Sequence, residues 1–127
     1  MAVAERGSMF ESPYIAYMDK IAVGPEAADA IDINAPVATN LENIARALKR
    51  DVRDLAVVML DRPRHEGLAE QVRETGARIR FIMDGDVAGA VMAASPETGI
   101  DVLMGIGGAP EAVVAACALR CLGGGMQ

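Results

Sequence analysis

Three short strand-like segments begin near residues 55, 78 and 101, and each is followed by a segment with helical character. LAVVML (55–60) has the length and composition of a fully buried strand. ARIRFIM (77–83) alternates in part and reads as a second strand, and DVLMGI, starting at Asp101, as a third. HEGLAEQVRET is helical, with Gly76 as its C-cap. VAGAVMAAS is a small-residue helix that Asp86 can cap, and PEAVVAACALRCL carries Pro110 at the favoured first helical position. An interval of about 23 residues suits a strand, a turn and a three-turn helix; leucine-rich repeats share that period, but their Leu and Asn pattern does not recur. The fold class that follows is α/β, a mostly parallel sheet with flanking helices and right-handed βαβ crossovers. The length suits one domain, so residues 1–127 read as a single α/β domain.

The segment before residue 36 is less regular. YMDKIAVG (17–24) predicts a strand closed by the Gly24-Pro25 turn. DINAP (32–36) predicts an extended segment or loop, because Pro36 biases Ala35 away from helix. Thr39 and Glu42 have the spacing of a capping box. Leu41, Ile44, Ala45 and Leu48 follow as an amphipathic stripe, predicting a helix to about Arg50.

Composition narrows the function classes. Aromatics make up 3% of the chain, so its core must be built from Ala, Val, Ile, Leu and Met, and its eight methionines can fill irregular gaps. Twelve basic against 18 acidic residues give a net charge of −6. Neither a global positive field nor aromatics for base stacking are present, so a nucleic-acid partner is not expected. Cys117 and Cys121 share a helix face among Ala and Leu, which predicts buried thiols in a reducing compartment rather than a zinc site. The first ten residues carry Glu and Arg where a signal peptide needs apolar residues. No apolar run approaches the roughly 20 residues of a membrane span. A cytoplasmic protein with no membrane partner is expected.

The polar residues cluster after the strands: D-R-P-R-H at 61–65, D-G-D at 84–86 and G-I-G-G-A-P-E at 105–111. In a parallel sheet these clusters share the carboxyl edge, where open α/β sheets bind ligands. Each has a plainer structural role when taken alone. Pro63 can start a helix, although it also presets the backbone around Arg62 and Arg64, whose guanidinium forks match phosphate oxygens. Asp84, Gly85 and Asp86 can form a turn with an aspartate cap, or accept from sugar hydroxyls or hold a metal. Gly105, Gly107 and Gly108 allow close backbone approach, and their amides with the next helix N-terminus favour an anion. Glu111 complements that helix dipole, with metal ligation as the alternative. His65 suits a structural role at a helix start better than acid–base work. Dinucleotide and P-loop fingerprints fail, and no nucleophile elbow is present. The three clusters together suggest a phosphorylated polyol, with or without a divalent cation.

These stretches carry a family resemblance. YMDKIAVGP (17–25), DRPRH (61–65), DGDVAGA (84–90), DVLMGIGGAPEAVVAA (101–116) and the closing MQ are similar, in order, to class II fructose-1,6-bisphosphatases, including the bacterial fructose-1,6/sedoheptulose-1,7-bisphosphatases. The resemblance implies one half of the lithium-sensitive sugar phosphatase fold. It implies a Mg²⁺- or Mn²⁺-dependent phosphomonoesterase acting on the 1-phosphate of fructose 1,6-bisphosphate, in gluconeogenesis or the Calvin cycle. It also implies a homo-oligomer for the full-length enzyme. It makes Glu111 a metal ligand. Tyr17, Arg62, Pro63, Arg64, Asp84, Gly85, Asp86 and Gly108 become substrate-binding residues. No catalytic residue is assigned.

Two departures accompany it. The family often has Lys where this chain has Arg62, and SPYIAY does not follow its P-D-x-Y pattern. A third is larger: the family's D-P-I-E-G-T-type motif, with the other metal-binding carboxylates, is missing from this sequence. The chain is therefore expected to be the substrate-binding half of a longer enzyme and inactive alone. Alternatives are a non-catalytic phosphosugar-binding module and an α/β domain used only for assembly.

Overall fold

The computed structural model describes residues 1–11 and 13–127. Ser12, in the SPYIAY stretch, lies outside the described residues. Five strands form one sheet: β1 (Tyr17–Val23), β2 (Ala56–Leu60), β3 (Arg78–Ile82), β4 (Val102–Gly108) and β5 (Gly125–Met126). Their order across the sheet is β3-β2-β4-β1-β5. The three evenly spaced strands are parallel to one another, with Val57 opposite both Ile79 and Val102. β1 runs antiparallel to β4 and to β5. The sheet is thus mixed, with β1 the one reversed strand among the described residues. β2, held between β3 and β4, is buried along its whole length, which explains why AVVML carries no alternation.

Four helices flank the sheet: α1 (Val37–Ala47), α2 (Glu66–Glu74), α3 (Asp86–Ala94) and α4 (Ala109–Leu122). The period-2 alternation of the strands divides the core. Ile21, Val23, Val57, Met59, Val102 and Met104 meet α1 and α2 through Leu41, Ile44, Ala69 and Val72. Ala22, Ala56, Val58 and Leu103 face the other way and meet α3 and α4 through Ala90, Ala93, Ala94, Ala115 and Leu119. Gly89 permits the close approach of α3, since a Cβ there would stand 2.9 Å from Leu103 Cδ1.

Helix ends differ from expectation in three places. α1 starts at Val37, with Pro36 as N-cap and no side-chain cap, so Thr39 and Glu42 lie inside it rather than forming a box. The entry loop is held instead by buried Asn40. Its Oδ1 accepts from the Asp32 amide at 2.8 Å, and its Nδ2 donates to the Asp32 carbonyl at 2.8 Å and the Ala35 carbonyl at 3.2 Å. The same helix stops at Ala47, where Lys49 turns left-handed at φ 54° and the Arg50 amide donates back to the Ala45 carbonyl. α3 starts at Asp86 itself, with Gly85 (φ 92°) as N-cap, so Asp86 makes no cap bond. Gly76 ends α2 as the sequence suggests, with φ 86°. Cys117 is half-buried and Cys121 exposed, contrary to the expectation of buried thiols, because the stripe of α4 that meets the sheet is Ala112, Ala115 and Leu119.

Candidate phosphosugar site at the carboxyl edge

The parallel strands carry the three polar clusters to one edge, and reversed β1 adds its own start to that edge. Tyr17 lies opposite Gly108, Met18 opposite Gly107, and Lys20 opposite Gly105. The Ala109 amide extends the ladder by donating to the Ala16 carbonyl at 3.0 Å. The glycine run is therefore strand, not the free loop that its composition suggests. Its glycines are needed for space. A Cβ on Gly105 would lie 3.1 Å from His65 Cε1. One on Gly107 would collide with the Asp86 carboxylate and the Lys20 ammonium, and one on Gly108 with the Glu111 carboxylate.

His65 stitches the edge together and is 1% exposed. Its Nδ1 donates to the Leu60 carbonyl at 2.7 Å, which leaves Nε2 to accept the Ile106 amide proton at 2.8 Å. Both ring nitrogens are used within the protein, in keeping with the structural role expected for this residue. Arg64, its neighbour, donates through Nε to the Ile106 carbonyl at 2.9 Å. The same guanidinium sits over the Tyr17 ring, 5.7 Å from its centroid. Tyr17 and Arg64 are both exposed, so this stacked pair presents spare guanidinium donors to solvent.

Asp86 is turned inward and forms an ion pair with Lys20. The two are buried, and the pair fills the gap left by Gly107. Asp84 is exposed, two residues away across the left-handed Gly85. Glu111 is exposed in the first turn of α4 and leans over Gly108. Pro63 opens a short 3-10 turn (Pro63–His65) before α2. Arg62, half-buried, donates to the Asp61 carbonyl at 2.7 Å and faces a separate crevice of about 430 Å³. Asp61, Glu66, Glu70, Arg73 and Phe81 share that crevice. Tyr17, Arg64, Gly108 and Glu111 are thus gathered around the β4–α4 junction. Asp86 lies just beneath it, Asp84 on its β3 flank, and Arg62 on the side facing α2.

Sequence reasoning missed Lys20 and the Ile106 carbonyl. Lys20 was detectable in principle: period 2 places it on the same face as Ala22, which is core. A charge in that position calls for a buried partner.

A divalent-metal site is not complete here. No group of three His, Cys, Asp or Glu is arranged to hold a metal among the described residues. Mg²⁺ requires about six oxygen ligands in near-octahedral array, and Glu111 offers one exposed carboxylate. These residues alone do not fit the ion.

Over residues 1–127 the chain matches the family described as bacterial fructose-1,6-bisphosphatase, glpX-encoded. It belongs to that family. Its curated relatives include proteins named D-fructose 1,6-bisphosphatase class 2/sedoheptulose 1,7-bisphosphatase. Those of Crocosphaera subtropica and Microcystis aeruginosa are each 46% identical, and that of a Synechococcus species 47%, over 127 residues. Each comparison covers 100% of this chain and 36% of the relative. The chain therefore spans little more than a third of the length of these bisphosphatases. No helix among the described residues is long and apolar enough to cross a membrane.

Proposed function

We propose that this chain is the substrate-binding part of a metal-dependent sugar bisphosphatase acting on the 1-phosphate of fructose 1,6-bisphosphate, with sedoheptulose 1,7-bisphosphate as a second substrate. The observation that carries the reading is the edge itself. An exposed guanidinium fixed by Tyr17 and the Ile106 carbonyl lies at the same strand edge as Asp84, Asp86 and Glu111, which follow β3 and β4. Guanidinium forks recognise phosphate, and carboxylates accept from sugar hydroxyls. The relatives named as bisphosphatases support the same assignment. In this reading Arg64 and Arg62 take phosphate, Asp84 and Asp86 read sugar hydroxyls, and Tyr17 and Gly108 line the ligand. Glu111 supplies one carboxylate toward Mg²⁺ or Mn²⁺, and the remaining ligands come from outside these residues.

The incomplete ligand set favours a second reading for the chain in isolation: a phosphosugar-binding module that does not turn over substrate. An amide NMR titration with fructose 1,6-bisphosphate, controlled by inorganic phosphate, tests both. Saturable shifts at Arg64, Asp84 to Asp86 and Gly108, with no metal-dependent phosphate release, are the expected result. A folded sample without shifts would refute the binding site. Efficient Mg²⁺-dependent turnover by this chain would refute the claim that it is catalytically incomplete.

A further inference from the structure

Lys20 is the only lysine or arginine buried among the described residues, with a side chain 1% exposed. It sits within β1 opposite Gly105 of β4, ahead of the Ala22–Val23 stretch that pairs with β5. Removing an ammonium from water costs several kcal/mol unless it is well paired, and apolar replacements of buried pairs are often more stable. Stability alone therefore does not account for a lysine on a strand face otherwise given to the core. Its partner, Asp86, lies 66 residues away in the D-G-D cluster. Asp86 keeps 9% of its surface exposed, so the acid, not the base, borders the edge. An ammonium has three donors, and Asp86 is its one hydrogen-bond partner among the described residues. Gly107 leaves the space that the pair fills.

The edge poses an electrostatic problem. A sugar bisphosphate is strongly anionic, yet Asp19, Asp61, Asp84, Asp86 and Glu111 all lie at or near the strand ends. A bare carboxylate suited to reading a hydroxyl would repel the phosphate next to it. We infer that Lys20 is a positioning residue that sets ligand specificity: its buried ammonium neutralises Asp86 and pins it against Gly107, so that a carboxylate can read a sugar hydroxyl close to a phosphate. This rests on the phosphosugar reading of the edge and adds to it the residue that makes Asp86 compatible with an anion.

The test uses two probes that carry phosphates on both end carbons of a six-carbon chain: fructose 1,6-bisphosphate and hexane-1,6-diol bisphosphate, which lacks the hydroxyls. Affinities are measured by amide titration for the wild-type chain and for Lys20→Met, Asp86→Asn and the double variant. Wild type is expected to prefer the sugar. Lys20→Met, which leaves a bare carboxylate, should weaken both probes by about tenfold or more. Asp86→Asn should retain the diol bisphosphate and lose the preference. The double variant, neutral at both positions, should recover the diol bisphosphate to within about twofold of wild type while the preference stays lost. A purely structural lysine would not produce that recovery. A folded Lys20→Met with wild-type affinities overturns the inference, as does a double variant that still prefers the sugar. If Lys20→Met does not fold, the double variant alone decides by the same criterion. Wild type binding neither probe overturns the phosphosugar reading and this inference together, whereas binding unaffected by any substitution overturns this inference alone.

Discussion

The two faces of the sheet are filled by different kinds of side chain. Toward α1 and α2 the core is Leu41, Ile44, Val72, Met59 and Met104, large groups that hold helices at ordinary distance. Toward α3 and α4 it is largely alanine, with Gly89 pressed against Leu103. Small side chains let α3 and α4 pack against each other and close onto the sheet. Their first turns carry Asp86 and Glu111; the close approach of α3 lets Asp86 reach Gly107 of β4, while Glu111 meets Gly108 locally, since Gly108 is the N-cap of its own helix. The large-residue face supplies much of the stability, and the small-residue face supplies the geometry of the edge. One composition thus serves two tasks, separated by the alternation of the strands.

Substitutions on each face should separate those tasks. Leu41→Ala empties a fully buried site against the first face and should cost about 2–5 kcal/mol in urea unfolding. The amide signals of Asp84 to Asp86 and Gly107 should stay in place. If they move, the faces are coupled. Ala90→Leu overfills the second face, where Ala90 has no exposure, and should cost about 1–3 kcal/mol. Here the same amides should shift, because α3 carries Asp86. Unmoved signals would show that close packing of α3 is not what sets the edge. Arg64→Met alters an exposed residue but removes its bond to the Ile106 carbonyl, and should cost about 1 kcal/mol. It should still abolish the saturable response to fructose 1,6-bisphosphate. Retention of that response would shift the phosphate-binding role to Arg62 and its crevice.

Much of this arrangement can be read from the sequence. β2 and β4 announce themselves because buried parallel strands need short apolar runs, whereas β3, an exposed edge strand, shows only partial alternation; the even spacing of the three leaves room for one helix each. Topology then gathers the polar clusters without any knowledge of side chains. The direction of β1 is not legible, since an isolated strand carries no mark of its orientation. The pairing of Lys20 with Asp86 is hidden for a related reason: it depends on that reversal, which brings residue 20 to the edge where α3 begins. The glycines after residue 104 look like loop, because composition does not distinguish backbone freedom from space for a neighbour. Their partners, His65, Asp86 and Glu111, come from three different elements. Thr39 and Glu42 match a capping box, but Pro36 and the amide of Asn40 start α1 earlier.

Both polar backbone groups of Ile106 are held by side chains adjacent in sequence, its amide by His65 and its carbonyl by Arg64. One peptide residue of β4 is thereby gripped from two sides by the turn that leads into α2. The turn and the strand end cannot separate without releasing both bonds. Solvent hydrogen exchange at the Ile106 amide would therefore keep time with the opening of that turn, making a single proton a clock for motion across the whole edge.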